Sequence, residues 1–142
     1  MTLHPCTPHD APELACLNRM LIEDEKAENS MTLPELERRM AEFLSADYAA
    51  FFFEENQRRV GYALVRTSAT PLYLRQFFIS REHRRKGYGQ QAFRALLACL
   101  QTDEIDLDVY AWNAGGMAFW QSLGFFVRCH NMRLKQQVAH KE

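Results

Sequence analysis

Apolar residues recur at helical spacing in three stretches of the chain. Each of the first two stretches follows a Thr, a Pro and an acidic residue placed as at a helix N-terminus, in segments 7–10 and 32–35. The pattern predicts a first helix to about Asp24, a second after Thr32 and a third over residues 90–100. The apolar positions are Leu14, Leu17, Met20 and Leu21 in the first helix, Leu36, Met40, Phe43 and Leu44 in the second, and Gly89, Phe93, Leu96, Leu97 and Leu100 in the third.

Segments rich in aromatic and β-branched residues predict strands between and after these helices. Two of them flank a polar turn at Asn56 and Gln57, which predicts a hairpin. Strands then alternate with helices. We therefore expect a mixed, mainly antiparallel α/β sheet with helices on both faces and a parallel strand-helix-strand unit over residues 72–111. The predicted strands are residues 2–6, 48–54, 60–67, 72–80, 105–111 and 125–134.

Composition limits the class of protein. With 142 residues, 47% of them hydrophobic and 25% charged, the chain suits one domain with a sizeable core, and we assign residues 1–142 to it. The net charge of −1 argues against a dedicated nucleic-acid binder, so no nucleic-acid partner is expected. The longest apolar run is too short to span a bilayer, so no membrane partner is expected either. The cysteines lack metal-ligand spacing, which indicates free thiols, no metal and a cytoplasmic location.

The segment Arg84-Arg85-Lys86-Gly87-Tyr88-Gly89 lies between a predicted strand and a predicted helix. The first amides of a helix lack intrahelical acceptors, and the helix dipole makes this end electropositive. The glycines let an anion approach the backbone, and three cationic side chains stand beside them. The segment therefore predicts a phosphate site, although a solvated loop or a nucleic-acid patch would use the same charges. Neither the P-loop pattern nor the dinucleotide fingerprint is present.

Two motifs follow one another in the second half of the chain. The first is Arg84-x-x-Gly87-x-Gly89. The second is the segment 107–113, which ends in Asn113 and is followed by Phe119-Trp120 and then Gly124-Phe125. In type, order and spacing they resemble the phosphate signature and the strand, short helix and Gly-Phe exit of the GNAT superfamily, the general-control-related N-acetyltransferases. The resemblance covers about residues 73–126.

The resemblance implies that acetyl-CoA binds where two central parallel strands splay apart. Phe78 and Ile79 would offer backbone groups to its pantetheine arm. Asn113 and Phe119 would lie along that arm, and Asn113 also suits the cap of a helix that starts at Ala114, which is compatible with the first role. The pyrophosphate would be held by Arg84, Arg85, Lys86, Gly87, Tyr88, Gly89 and Gln90.

The implied reaction is direct attack of an amine on a thioester carbonyl, which calls for a base, an oxyanion donor and an acid. The backbone N–H near Ile79 is the expected donor. Trp120 stands where the family commonly has a Tyr acid. An indole donates a hydrogen bond but no proton, and simple packing is its alternative role. Tyr110 is a second candidate.

The acceptor side is marked by polar residues in two predicted elements. The strand 72–80 carries Arg75 and Gln76 but no Asp, Glu or His to act as a base. One of the two is expected to face the acceptor cleft, and a bulge near Phe77 would change which one. Asp24 and Glu25 end the first helix, where the family places its acceptor wall; they would bind a cationic amine or simply form a solvated helix end.

These features predict an acetyl-CoA-dependent N-acetyltransferase that acts on a small-molecule or peptide amine. A catalytically silent acyl-CoA-binding module and an RNA-binding domain are the alternatives that the sequence leaves open. It also leaves open the identity of the acceptor, whether the acyl group is strictly acetyl, and whether the chain forms a homodimer.

Overall fold

The computed structural model of the chain describes residues 1–137. Its strands form a five-stranded sheet in chain order, in which β4 and β5 are parallel and the other neighbours are antiparallel. The strands are β1 (Thr2–Pro5), β2 (Tyr48–Glu55), β3 (Arg58–Arg66), β4 (Leu72–Ile79) and β5 (Ile105–Asp106). The helices are α1 (Ala11–Glu25), α2 (Leu33–Ser45), α3 (Tyr88–Leu100) and α4 (Ala114–Ser122), with short 3-10 turns at Pro8–Asp10 and Arg81–His83.

The helix N-termini follow the predicted caps. At the start of α2, the Glu35 backbone N–H donates to Thr32 Oγ1 at 3.4 Å, and the Thr32 N–H donates to Glu35 Oε1 at 3.0 Å. The Thr7 N–H likewise donates to Asp10 Oδ2 at 2.8 Å, just before α1. These reciprocal bonds satisfy backbone donors that a helix start leaves without partners. The first two predicted helices are confirmed. Their starts were predictable because local side chains define where each helix begins.

Each face of the sheet packs against its own hydrophobic core. Side chains alternate along β2, so Phe52 faces α1 and α2, whereas Phe51 and Phe53 face α3 and α4. Burying one such side chain contributes about 1.5–3 kcal/mol. The two cores confirm the predicted α/β sheet with helices on both faces. The first core includes Leu14, Leu21, Met40, Phe52, Tyr62, Leu64 and Phe78, and the second includes Phe53, Val60, Val65, Leu74, Phe93 and Leu96.

A β-bulge in β4 sets the direction of its polar side chains. The register between β3 and β4 skips Arg75, which is therefore the extra residue of the bulge. Arg75 packs on the Phe43 ring of α2, and Gln76 accepts a hydrogen bond from Tyr62 on the same side of the sheet. The bulge lies at Arg75 rather than near Phe77, and it turns both polar side chains toward α1 and α2.

The parallel strands β4 and β5 separate almost as soon as they meet. They pair at two positions, Leu72 with Ile105 and Tyr73 with Asp106. Over residues 74–79, β4 pairs with no other described strand on this side. We call the opening between residues 74–79 and residues 107–112 the gap. It provides the splayed pair of strands that the predicted fold requires.

Two predicted strands differ from the structure. β5 is limited to Ile105–Asp106 instead of residues 105–111. The predicted closing strand over residues 125–134 is wrong, because this segment has no strand and leaves Phe126 77% and Leu134 82% exposed. A strand forms only beside an edge whose backbone groups continue in register. β5 ends too early to offer such an edge.

Gly61 on β3 has no room for a side chain. A Cβ at this position would collide with the carbonyl oxygen of Phe78 on β4. We expect Gly61→Ala to destabilise the fold by about 1–3 kcal/mol, the usual cost of overpacking, and to lower the Tm in thermal unfolding. Gly115→Ala in α4 is the control, since a Cβ there meets no atom within 4 Å. Its Tm should stay the same or rise slightly, and equal Tm values for both variants would contradict the β3–β4 register.

Candidate functional site

Residues 81–89 run from just after β4 into the first turn of α3, and we call this segment the basic turn. Within it, Arg85 and Gly87 adopt left-handed φ angles of 62° and 75°. Gly87 tolerates this conformation because it has no Cβ. It is also the N-cap of α3, and no side chain caps that helix. The first amides of α3 therefore point out of the basic turn without a side-chain partner, as an anion site requires.

Asp24 at the end of α1 holds two arginines of the basic turn. Arg81 donates to Asp24 Oδ1 through Nε at 2.9 Å, and Arg84 donates to Oδ2. Burial alone would raise the pKa of Asp24, but the hydrogen bonds from Arg84 and Arg81 lower it overall. Sequence reasoning assigned Asp24 to the acceptor and Arg84 to the pyrophosphate, whereas the structure pairs them with each other. We call this arrangement the Asp24 clamp.

The other two cations of the basic turn are unpaired. Arg85 and Lys86 are exposed, and in the described part of the chain neither forms an ion pair with a carboxylate. Lys86 borders a cavity of about 350 Å³ together with His83, Tyr88 and Arg58. A larger depression of about 540 Å³ lies at the start of α1 and α2, away from the basic turn. Positive charge is thus available to a ligand on one side of the turn.

The backbone of β4 presents unpaired groups to the gap. The carbonyl of Phe78 lies against Gly61 and so points to β3. Because neighbouring residues of a strand direct their backbone groups to opposite sides, those of Phe77 and Ile79 point into the gap. Arg84 Nε reaches the Ile79 carbonyl from this side at 2.9 Å. The edge therefore consists of Phe77 and Ile79 rather than the expected Phe78 and Ile79.

An aromatic cluster closes the α3–α4 side of the gap. Trp120 lies at its centre, with ring centroids 5.1 Å from Phe77, 5.4 Å from Phe93, 4.8 Å from Phe119 and 5.3 Å from Phe125. These edge-on contacts are a favourable geometry for aromatic rings. A Cβ at Gly89 would lie only 3.1 Å from Phe119, so the basic turn packs directly on the cluster. Trp120 thus has a packing role in addition to any role in chemistry.

Asn113 caps α4. Its Oδ1 accepts a hydrogen bond from the Gly116 backbone N–H at 3.0 Å. A Cβ at Gly116 would collide with the Asn113 side chain, so this glycine makes room for the cap. The capping role considered for Asn113 is therefore present, and it fixes the start of the helix that carries Phe119 and Trp120.

The segment after β5 is tied to the end of α1. Trp112 Nε1 donates to the Glu25 carbonyl at 2.9 Å, and the Glu28 N–H donates to Tyr110 Oη at 3.3 Å. The two aromatic rings stack with centroids 4.6 Å apart. This contact forms a wall on the α1 side of the gap. Sequence reasoning missed Trp112, whose only signal was a large aromatic residue just before a helix cap.

Glu25 is a half-buried carboxylate beside this wall. Burial raises its pKa, and the neighbouring charge of Asp24 raises it further. Its position as the last residue of α1 acts in the same direction, because the C-terminal end of a helix disfavours negative charge. Burial also raises the pKa of Tyr62, which lies near enough to feel the Glu25 carboxylate. Glu25 therefore binds a proton more readily than an exposed glutamate does.

A polar cluster lies under the α1–α2 side of β4. Tyr62 donates to Gln76 Oε1 at 2.8 Å, and Arg39 Nη2 donates to Asn18 Oδ1 at 3.0 Å. Asn18 is 2% exposed and lies beside Tyr62, where it partly offsets the rise that burial causes in the pKa of the Tyr62 hydroxyl. Sequence reasoning selected only Gln76 from this group. Asn18 was detectable as a polar residue on the apolar face of the first predicted helix.

Three further properties of the described residues bear on the chemistry of the chain. Within residues 1–137, no group of three or more His, Cys, Asp or Glu side chains is placed to hold a metal ion. None of the described helices is long and apolar enough to cross a membrane. The cysteines are free thiols, and burial raises the pKa of Cys6 to about 12.

Comparison with protein families gives a match over most of the chain. A family model described as "Acetyltransferase (GNAT) family" matches residues 17–125. This range contains the basic turn, the gap, the aromatic cluster and the end of α1. No curated protein matches the chain.

Solved structures share the fold along nearly the whole chain. A "possible acetyltransferase" from Clostridium difficile 630 has a TM-score of 0.76 at 16% identity, over 97% of this chain and 98% of that one. An acetyltransferase from Thermus thermophilus has a TM-score of 0.71 at 26% identity, over 89% and 88%. An aminoglycoside acetyltransferase from an uncultured soil metagenomic sample, in complex with sisomicin, has a TM-score of 0.69 at 12% identity, over 97% and 96%.

The Asp24 clamp predicts a stability difference that depends on pH. Asp24→Asn removes the charge that holds Arg81 and Arg84, so its Tm near neutral pH should lie below that of the wild type. A carboxylate with a lowered folded-state pKa stabilises the fold above its unfolded pKa, and this contribution is lost as pH falls through the folded-state pKa. The Tm difference should therefore shrink once pH falls below the ordinary value of 3.8.

The control for this comparison is Glu23→Gln, a change of the neighbouring exposed carboxylate on α1. Its Tm should stay close to that of the wild type near neutral pH. A difference between wild type and Asp24→Asn that is constant from neutral pH down to acid conditions would show that the Asp24 clamp does not stabilise the fold.

Proposed function

The chain belongs to the GNAT acetyltransferase family, and from this premise we propose that it transfers an acetyl group from acetyl-CoA to a primary amine by direct attack. The acceptor is the amine of a small molecule or an exposed amino group of a peptide. One observation carries the proposal. Within residues 1–137, the edge of β4 that faces the gap is unpaired, and the basic turn after it ends in a helix N-terminus that has no side-chain cap and two cations without a carboxylate partner.

The gap offers complementary groups to each part of acetyl-CoA. The backbone groups of Phe77, which point into the gap, suit the amides of the pantetheine arm, in the way that strand addition binds peptides. The first amides of α3, with Arg85 and Lys86, suit the diphosphate. Bound in this way, acetyl-CoA supplies the activated acetyl group. The Ile79 N–H, directed into the gap, is then the donor for the carbonyl oxygen as negative charge develops on it.

We assign Glu25 as the proton acceptor. Alkyl amines have a pKa of about 10 and are therefore protonated at neutral pH. The acceptor must lose this proton before it can attack. A carboxylate with a raised pKa and no ion-pair partner in the described chain attracts the ammonium group and takes its proton. Asp24 is unsuited to this task, because Arg81 and Arg84 bind it and lower its pKa.

The two substrates then approach from opposite faces of the sheet. Glu25 influences Tyr62, which belongs to the core formed with α1 and α2. The aromatic cluster belongs to the other core. The amine therefore enters from the α1–α2 side, and the thioester arm lies along the aromatic side. The gap is where the two meet.

The departing thiolate needs little help. A thiol with a pKa of about 8.5 leaves as an anion without full protonation. A hydrogen bond to the sulfur is therefore sufficient to stabilise it. Trp120 supplies an indole N–H from the aromatic cluster. Tyr110 is the alternative, because its hydroxyl accepts a hydrogen bond from Glu28 and keeps its own proton to donate.

The unpaired cations of the basic turn give the first prediction for this function. The double change Arg85→Gln and Lys86→Gln should weaken CoA binding at least about 10-fold, because charge-assisted hydrogen bonds to phosphate are lost. Acetyl-pantetheine, which lacks the diphosphate, should bind the variant almost as it binds the wild type. Calorimetry with both ligands measures the difference. Arg94→Gln, an exposed cation further along α3, is the matched control, and equal losses for both ligands would rule out a phosphate role.

The role of Glu25 as the base gives the second prediction for this function. Glu25→Gln should lower kcat/KM at least about 100-fold, the usual contribution of a general base, with little change in the Kd of acetyl-CoA. The wild-type rate should rise with pH through the raised pKa of Glu25, because the deprotonated carboxylate is the active form. That rise should be missing in Glu25→Gln and present in the control Glu23→Gln.

The reaction is measured across pH by the release of the CoA thiol. The acceptors tested are a panel of amines, peptides and amino acids. If Glu25→Gln and wild type have the same pH profile, Glu25 is not the base. If acetyl-CoA binds but no amine in the panel is acetylated, the proposed activity is wrong and a silent acyl-CoA-binding module is the better description.

A further inference from the structure

Two arginines without an acidic partner share one aromatic ring on the α1–α2 side of the sheet. The Cζ atom of Arg39 lies 5.4 Å from the centroid of Phe43, and that of Arg75 lies 4.8 Å from it. Arg75 also donates to Tyr48 Oη at 3.4 Å. Over residues 1–137, neither arginine forms an ion pair, whereas several other arginines of the chain do.

The hydrogen-bonding capacity of Arg39 is only partly used. Its Nη2 donates to Asn18, but its Nε is buried and has no acceptor in the described structure. A buried donor of a charged group without a partner is costly. The charge of Arg75 adds repulsion, so that burial and this neighbour together lower the pKa of Arg39. An anion that accepts a hydrogen bond from Arg39 and lies near Arg75 would relieve both costs.

We propose that Arg39 and Arg75 bind an anionic group of the acceptor, a carboxylate or a phosphate, so that the acceptor is an amine with a negative charge at its far end. Guanidinium groups bind both kinds of anion through paired hydrogen bonds. This inference rests on the proposed acetyl transfer for the role of the amine, but the anion site stands on the two arginines themselves.

The position of the arginine pair fixes the length of such an acceptor. Arg75 precedes Ile79 by four positions in β4, which corresponds to roughly 10–13 Å at about 3.3 Å per residue. The bulge turns Arg75 to the α1–α2 side, where Glu25 lies. The hydrogen bond from Tyr62 to Gln76 lies on this same side of the sheet, beside the buried Asn18. Amine and anion are therefore bound at the two ends of one polar face.

Anion binding is tested first, without any need for turnover. Inorganic phosphate and acetate are titrated into the protein while the Arg39 Nε–Hε resonance is followed by NMR. We expect the resonance to shift with at least one of them, and the apparent affinity to fall about 10-fold or more in Arg75→Gln. Arg38→Gln, an exposed neighbour on α2, should bind as the wild type does. A resonance that shifts with neither anion would overturn the proposal.

Acceptor choice is tested second, with amines matched in length. The compounds are 8-aminooctanoate, an aminoalkyl phosphate of similar length and octylamine, which has no anion. We expect kcat/KM to be at least about 10-fold higher for one of the anionic amines than for octylamine. The preferred compound distinguishes carboxylate from phosphate. The ratio should fall to about one in Arg75→Gln and keep its wild-type value in Arg38→Gln.

The two experiments separate the two proposals. Octylamine used as well as both anionic amines, or a preference that survives Arg75→Gln, would overturn the anion site as an acceptor subsite. If none of the amines is acetylated, the proposed acetyl transfer is overturned, and the NMR titration still decides whether the arginine pair binds anions.

Discussion

The pairing of β4 with β5 ends after two residues, and each part of the candidate site is arranged around the gap that results. Backbone N–H and C=O groups inside a sheet need partners, and an edge opened within it leaves several without them. Arg84 covers the Ile79 carbonyl. The remaining groups of that edge lie beside the aromatic cluster and lead into the uncapped start of α3. Among the described residues, one interruption of the sheet therefore brings an unpaired strand edge, the aromatic cluster and the candidate anion site together.

The bulge at Arg75 and the Asp24 clamp organise the other side of the gap. Without the bulge, Arg75 and Gln76 would point to opposite faces of the sheet, as successive strand residues do. With it, both face α1 and α2. The Asp24 clamp then joins the end of α1 to the basic turn through ion pairs with Arg81 and Arg84, so the proposed acceptor side and the proposed phosphate side are connected. Glu25, one residue further along α1, has its pKa raised, because burial and the negative charge of Asp24 both act on it.

Features with a local cause could be predicted from the sequence. The caps at Thr7 and Thr32, the hairpin turn at Asn56 and Gln57, and the glycines of the basic turn depend on neighbouring residues, and each appears in the structure. The length of β5 and the absence of a strand over residues 125–134 depend on which backbone edges are available for pairing. The composition of these segments does not contain that information, so both strands were predicted too long or wrongly. The polar contacts of Asp24 and Tyr62 join residues that are far apart in sequence, so no local pattern predicts them.

The proposed function depends most directly on acetyl-CoA binding in the gap. Amide hydrogen exchange measured by NMR, with and without acetyl-CoA, tests this residue by residue. We predict that acetyl-CoA slows exchange at the amides of Phe77 and Ile79 and in the first turn of α3, with little change along β1 and β2. Binding that leaves the exchange of β4 and α3 unchanged, or that protects a different surface, would contradict it.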